Sequence, residues 1–147
     1  MFEIVKNKDM LSECFYIRRE VFVKEQGVPL ENELDSFEEE SIHIIGYDKN
    51  HVPFACARFR PYNNAAKVER VAILKPYRKD GYGKTMMHAI ERFAKDKGYN
   101  QLVLNAQVQA QGFYEKLGYI QTGPVFIEEN IDHIKMYKNI SQVQTPV

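Results

Sequence analysis

The chain has 147 residues, enough for one domain that buries roughly 68 to 70 per cent of its unfolded surface. Its 20 acidic and 20 basic residues cancel, so no global field draws it to nucleic acid or to an anionic membrane, and any charge selectivity must be local. The opening residues MFEIVKNKDM lack the basic start and apolar run of a signal peptide, and no segment approaches the ~20 apolar residues of a membrane span. The expectation is a cytoplasmic protein. Cys14 and Cys56 are the only cysteines, and their spacing indicates neither a disulfide framework nor a zinc site. Each reads as a small buried hydrophobe.

In chain order, residues 2 to 6 predict a short strand. Asp9 is placed to cap a helix over 10 to 26, with Leu11, Phe15, Ile17, Val21 and Phe22 near one face, and Gly27 and Pro29 stop it. Residues 28 to 41 carry Glu31, Glu33, Asp35, Glu38, Glu39 and Glu40 among few apolar side chains and read as a loop. Strands follow over 42 to 48, 53 to 62 and 67 to 75, separated by DKNH and NNAA turns, which suggests an antiparallel meander. A helix over 81 to 97 puts Met87, Ile90, Phe93 and Ala94 on its buried stripe, pairs Glu91 with Lys95, and ends at Gly98. Strand 101 to 106, a short helix over 109 to 117, and strands 119 to 127 and 131 to 138 complete the pattern, with a polar tail over 141 to 147. This order describes a single α/β (α+β) domain over residues 1 to 140, with a mixed, mostly antiparallel sheet flanked by helices.

Between strand 67 to 75 and helix 81 to 97 runs Arg78, Lys79, Asp80, Gly81, Tyr82, Gly83, Lys84. A glycine-bearing turn feeding a helix N-terminus converges backbone N–H donors in a favourable dipole field, and its expected guest is a phosphate. Gly83, Lys84 and Thr85 match the end of a P-loop, but the first glycine of that motif falls on Arg78. The dinucleotide fingerprint fails at its third glycine, which falls on Met86. What remains, Arg followed by two residues, Gly, one residue and Gly, resembles the pyrophosphate loop of the GNAT acyltransferases.

That resemblance extends over about residues 1 to 138. It is strongest to the small ElaA-like and YjcF-like members, through REVFVKEQGVP near the front, LNAQVQAQGFYEKLGY later and IDHIKM at the end. It implies an acetyl-coenzyme A dependent N-acetyltransferase that transfers the acetyl group directly to a primary amine; His43 and His133 have no Cys or carboxylate at ligand spacing, so no metal is expected. Backbone groups of Val71, Ala72 and Ile73 would hold the pantetheine arm, and N–H groups through Arg78, Lys79, Asp80, Gly81, Tyr82, Gly83 and Lys84 the pyrophosphate. Strands of the family splay at this point, often through a bulge, which aims a backbone N–H at the thioester carbonyl. Tyr114 occupies the place of a tyrosine that protonates the departing thiolate. Many members carry Asn seven positions before it. Here that position is Gln107, with Asn105 two residues out of register, and either amide could meet the pantetheine.

A lysine-like amine of pKa near 10.4 is ~3.4 units from neutral at pH 7, so freeing its lone pair costs about 4 to 5 kcal/mol and calls for a base. Glu69 lies two residues before Val71 on the same strand face and is the candidate, through water; a solvated sheet charge is the alternative. His133 is an alternative base or acceptor contact. Glu25, Glu31, Glu33 and Asp35 could recognise a cationic acceptor, although a solvated loop has the same composition. His43 reads as structural, and Arg58 and Arg60 share a strand face suited to an anion or an ion pair. A noncatalytic acyl-coenzyme A sensor or scaffold and a nucleotide-binding protein using Gly83, Lys84 and Thr85 are the rival readings. Many relatives are dimers, so the resemblance leaves a homodimer open.

Overall fold

The computed structural model describes residues 1–140; the polar tail expected over 141 to 147 lies outside them. A seven-stranded sheet runs in the order β1-β2-β3-β4-β5-β7-β6, with β1 Phe2–Ile4, β2 Ile42–Tyr47, β3 Pro53–Tyr62, β4 Ala65–Ile73, β5 Gln101–Gln107, β6 Ile120–Glu128 and β7 Ile131–Asn139. The helices are α1 Lys8–Arg18, α2 Leu30–Glu33, α3 Tyr82–Asp96 and α4 Gln111–Lys116. The strand order is the one the sequence pattern predicts, and α2 is an additional helical turn inside the acidic segment 28 to 41, where the pattern predicts a loop. Among the described residues no helix is long and apolar enough to cross a membrane.

The described residues divide into two compact units, 1–60 with 69–90, and 61–68 with 91–140. In the first, β1 pairs antiparallel with β2, and β2 with β3. The helix α1 begins two residues earlier than the Asp9 cap implies, because the Asn7 side chain accepts the Met10 N–H at 2.9 Å and so satisfies one of the orphan donors. Its chain continues through a π-helical segment, Arg19–Glu25, where the Gln26 N–H donates to the Val21 carbonyl five residues back. The buried face is Cys14, Ile17 and Val21, which pack with Ile45, Tyr47, Cys56 and Ala72. Phe15 and Phe22, expected on that face, are only half-buried. Both thiols are free and in this core, and burial pushes the Cys56 thiol well up.

In the second unit β4 and β5 pair in parallel through Ala66↔Leu102, Lys67↔Val103 and Val68↔Leu104, and β5 pairs antiparallel with β7, β7 with β6. Leu102, Leu104, Ala106, Ile134 and Met136 form its buried face. Glu91 is 8 % exposed; its carboxylate accepts from Lys138 Nζ at 3.0 Å and from the Tyr119 hydroxyl at 3.3 Å, which makes it an inward-facing group.

Candidate active site

The turn before α3 is built by two left-handed residues on either side of Asp80, Lys79 at φ +75° and Gly81 at φ +81°. A lysine in that region is strained, and glycine is the residue that holds it without cost. The first helical bond, Thr85 N–H to the Gly81 carbonyl, leaves the N–H groups of Tyr82, Gly83 and Lys84 without helical partners by the geometry of any α-helix. Arg78 locks the turn from below. Its Nε donates to the Ile73 carbonyl at 2.8 Å, and its two terminal nitrogens donate to Glu25 at 2.9 Å each. Glu25, a candidate for acceptor recognition, is thus paired to the turn itself. The Tyr82 ring packs against Phe54, with centroids 4.7 Å apart, and Tyr77 stacks on the same ring at 4.6 Å, so the aromatic side chains anchor the turn to β3.

Upstream, the parallel ladder of β4 with β5 runs to Val68↔Leu104, and two residues later Arg70 takes φ +56°. A left-handed arginine inside a strand is the irregularity expected of a splayed edge. Past it, Ala72 enters the core, while Val71 and Ile73 are half-buried.

Glu69 sits at this irregularity between two guanidiniums. Its Oε1 accepts from Arg60 Nε at 2.8 Å and Arg58 Nη2 at 3.0 Å, and Arg60 Nη2 reaches Oε2 at 3.4 Å. The pair belongs to a larger network. Arg58, fully buried, donates to both oxygens of Asp35 at 2.9 and 2.6 Å and pairs with Glu38 at 2.9 Å. Arg18, also buried, donates to both oxygens of Glu33 and both of Glu38. Arg70 reaches Glu33 at 2.9 Å and Asp35 at 3.3 Å. Burial alone would raise the Asp35 carboxyl; the hydrogen bonds and charge of Arg58, with the Phe37 N–H and the charge of Arg70, outweigh it and hold it at about 2. Glu38 is lowered in the same way by Arg18. Glu33 and Asp35 are therefore committed to arginines that the linear sequence keeps 15 to 37 residues away. His43 is buried, and its Nε2 donates to the Glu38 carbonyl at 2.9 Å; burial lowers its pKa.

In the second unit Tyr114 is 8 % exposed, edge-on to Phe113 and Tyr119 with centroids 5.0 and 5.6 Å away. Its hydroxyl has no hydrogen-bond partner among the described residues, and burial raises its pKa to about 12. The amide of Asn105 has its Oδ1 buried and without a partner, whereas the Gln107 Oε1 accepts from Gln109 at 2.7 Å. His133 lies directly opposite Gln107 in the β5–β7 ladder. Its Nδ1 stands 2.7 Å from the Ile131 carbonyl, which can only accept, so Nδ1 carries the proton and Nε2 is the open nitrogen. Among the described residues no three His, Cys, Asp or Glu side chains converge as metal ligands.

Comparison with known proteins decides the family. The model of the acetyltransferase (GNAT) domain matches residues 7–140. The chain belongs to the GNAT acetyltransferase family. It is 43% identical over 137 residues to the uncharacterized N-acetyltransferase YjcF of Bacillus subtilis, covering 92% of this chain and 97% of that one. The crystal structure of Escherichia coli ElaA superposes with a TM-score of 0.81 at 23% identity, over 95% of this chain and 100% of its own. An aminoglycoside 6'-N-acetyltransferase complexed with coenzyme A superposes at 0.77 and 15% identity, over 99% of each chain. This GNAT chain is therefore an acyltransferase, as its turn and FYEKLGY segment imply.

Proposed function

We propose that this GNAT protein is an acetyl-coenzyme A dependent N-acetyltransferase that passes the acetyl group directly to a primary amine. The observation that carries the cofactor is the Lys79–Gly81 turn: two left-handed residues, an arginine clamp below it and the exposed donors of a 15-residue helix above. This is an anion cradle of the kind a pyrophosphate needs. The neighbour solved with coenzyme A supports that ligand. Val71, Ala72 and Ile73 would hold the pantetheine by their backbone groups, with Asn105 or Gln107 supplying a side-chain amide.

In the reaction the amine nitrogen bonds to the thioester carbon and the carbon–sulfur bond breaks. The amine loses a proton and the thiolate gains one. Tyr114 is the proposed acid. Its hydroxyl has no competing partner among the described residues and is protonated at neutral pH, so the proton is there for the leaving thiolate to take. Glu69, whose carboxylate accepts from Arg58 and Arg60, is the proposed base, through water. His133, with Nε2 open, is the alternative base. Both cysteines are buried in the core, which supports direct transfer over an acyl-enzyme.

The test is free-thiol release from acetyl-coenzyme A across a panel of amines. Acceptor-dependent release supports the reading. Tight acetyl-coenzyme A binding with no release for any amine defeats it in favour of a sensing module, and Mg²⁺-dependent binding of ATP without coenzyme A binding defeats it altogether.

A further inference from the structure

Lys135 is half-buried on β7, and no carboxylate lies within ion-pairing distance of it among the described residues. Its ammonium donates to the Tyr62 hydroxyl at 3.3 Å and stands 5.1 Å from the centre of that ring. The Lys67 ammonium stands 5.0 Å from the same ring.

Directly across the ladder from Lys135 is Asn105. Residues paired in this way point to the same face of a sheet, so the Lys135 side chain and the Asn105 amide, whose Oδ1 is buried and partnerless, leave the sheet side by side. One more pair along, some 7 Å further, the same face carries Gln107, His133 and Phe126, whose ring stacks on His133. The alternation of the strands leaves Glu128, opposite Ile131, as the one carboxylate on this face of β5, β6 and β7, two pairs away from Lys135. A cation beside a hydrogen-bond acceptor is complementary to an anion beside an N–H donor. In a molecule that also supplies an acylatable nitrogen, that combination is the headgroup of an α-amino acid.

We propose that the acceptor is an amine carrying a carboxylate next to the nitrogen, its carboxylate held by Lys135 and its N–H by Asn105. This inference rests on the acetyltransferase reading and narrows its acceptor. A cationic polyamine is disfavoured on the same face, and the carboxylates of Glu25, Glu33 and Asp35 that would attract one are paired to arginines.

The experiment compares matched acceptors, an amino acid against its amide and against the decarboxylated amine, with phosphoethanolamine against ethanolamine as the arm for a different anion. The expected result is a kcat/KM about tenfold or more higher for the amino acid, as one charge-assisted hydrogen bond provides. In Lys135→Met that ratio falls toward one, and in Lys135→Arg it is largely restored, with circular dichroism confirming that both variants fold. A wild-type ratio near one, a preference for the amide, a preference confined to phosphoethanolamine, or a ratio that survives Lys135→Met overturns the proposal while leaving the acetyltransferase reading intact. Should no amine release thiol, calorimetry of the amino acid and its amide against the coenzyme A-loaded protein still decides. Tighter binding of the amino acid, lost in Lys135→Met, supports the site, and equal or undetectable binding overturns it.

Discussion

Tyr114 is defined by what its hydroxyl lacks. The ring packs edge-on against Phe113 and Tyr119, no described residue takes the hydrogen bond of the hydroxyl, and burial of the side chain raises its pKa to about 12. Replacing it with phenylalanine keeps the ring contacts and removes only the proton. If the hydroxyl is the acid, Tyr114→Phe lowers kcat by about 10²-fold or more while the dissociation constant for acetyl-coenzyme A, measured by calorimetry, stays within a factor of two or so. An unchanged kcat would leave Tyr114 a packing residue. Arg58 poses the opposite case. Its guanidinium is at 0% exposure and touches Asp35, Glu38 and Glu69. Arg58→Ala takes a buried guanidinium from three carboxylates that each keep one other arginine, Arg70, Arg18 and Arg60, and breaking buried pairs of this kind costs about 3 to 5 kcal/mol. Urea denaturation checks it; a loss under about 1 kcal/mol would mean that water replaces the guanidinium without cost.

At the level of elements, the turn feeding α3 and the acidic segment 28 to 41 show what the sequence made legible and what it hid. The turn was readable because glycine spacing and a helix start are local signals, and the left-handed φ of Gly81 is what that glycine is for. A Cβ at Gly81 meets nothing within 4 Å, so Gly81→Ala tests backbone conformation alone. It should cost about 1 kcal/mol in thermal stability and weaken acetyl-coenzyme A binding by more than that conformational cost, because the donors of the turn lose their aim. Equal affinity would mean the pyrophosphate does not use this turn. The composition of the acidic segment predicts a loop, either solvated or facing the acceptor. Instead it contains the single turn α2 and delivers Glu33, Asp35 and Glu38 to Arg18, Arg58 and Arg70. No local rule pairs residues 15 to 37 apart. A signal was nevertheless present. Arg18 follows Ile17 on the stripe of α1, and Arg58 interrupts the apolar run of β3, and a charge at a core position implies a buried counter-charge somewhere in the chain. The Lys135–Asn105 pair was illegible for a related reason, since it depends on the β5–β7 register, which hydrophobic alternation restricts to every second residue without choosing among them.

Across the molecule, charge is balanced in number, 20 against 20, yet stability should depend on pH through the few groups that folding perturbs. His43 is held below its usual value by burial, so the unfolded chain binds its proton first. The stability it contributes is present above about pH 6.5 and is lost as pH falls through that value toward its folded pKa. Asp35, held at about 2, and Glu38, lowered from 4.5, act in the same sense further down. Their contribution is present above about pH 4 and drains away as pH drops toward 2. Tyr114 is raised to about 12 and Tyr119 is raised further, by burial and then by Glu91. Unfolded tyrosines ionise near pH 10, so the stability held by these two protonated phenols is present below pH 10 and is lost as pH rises from there through about 12. The expected profile of urea midpoints is a plateau from about pH 6.5 to 10, a shallow acid shoulder from His43, a steeper fall between about pH 4 and 2, and an alkaline decline. Two variants apportion it: His43→Gln should flatten the shoulder near pH 6, and Asp35→Asn should lower the plateau and reduce the slope below pH 4. A shoulder that persists in His43→Gln would assign it to another histidine. An unchanged acid slope in Asp35→Asn would mean that the arginine network does not govern acid unfolding.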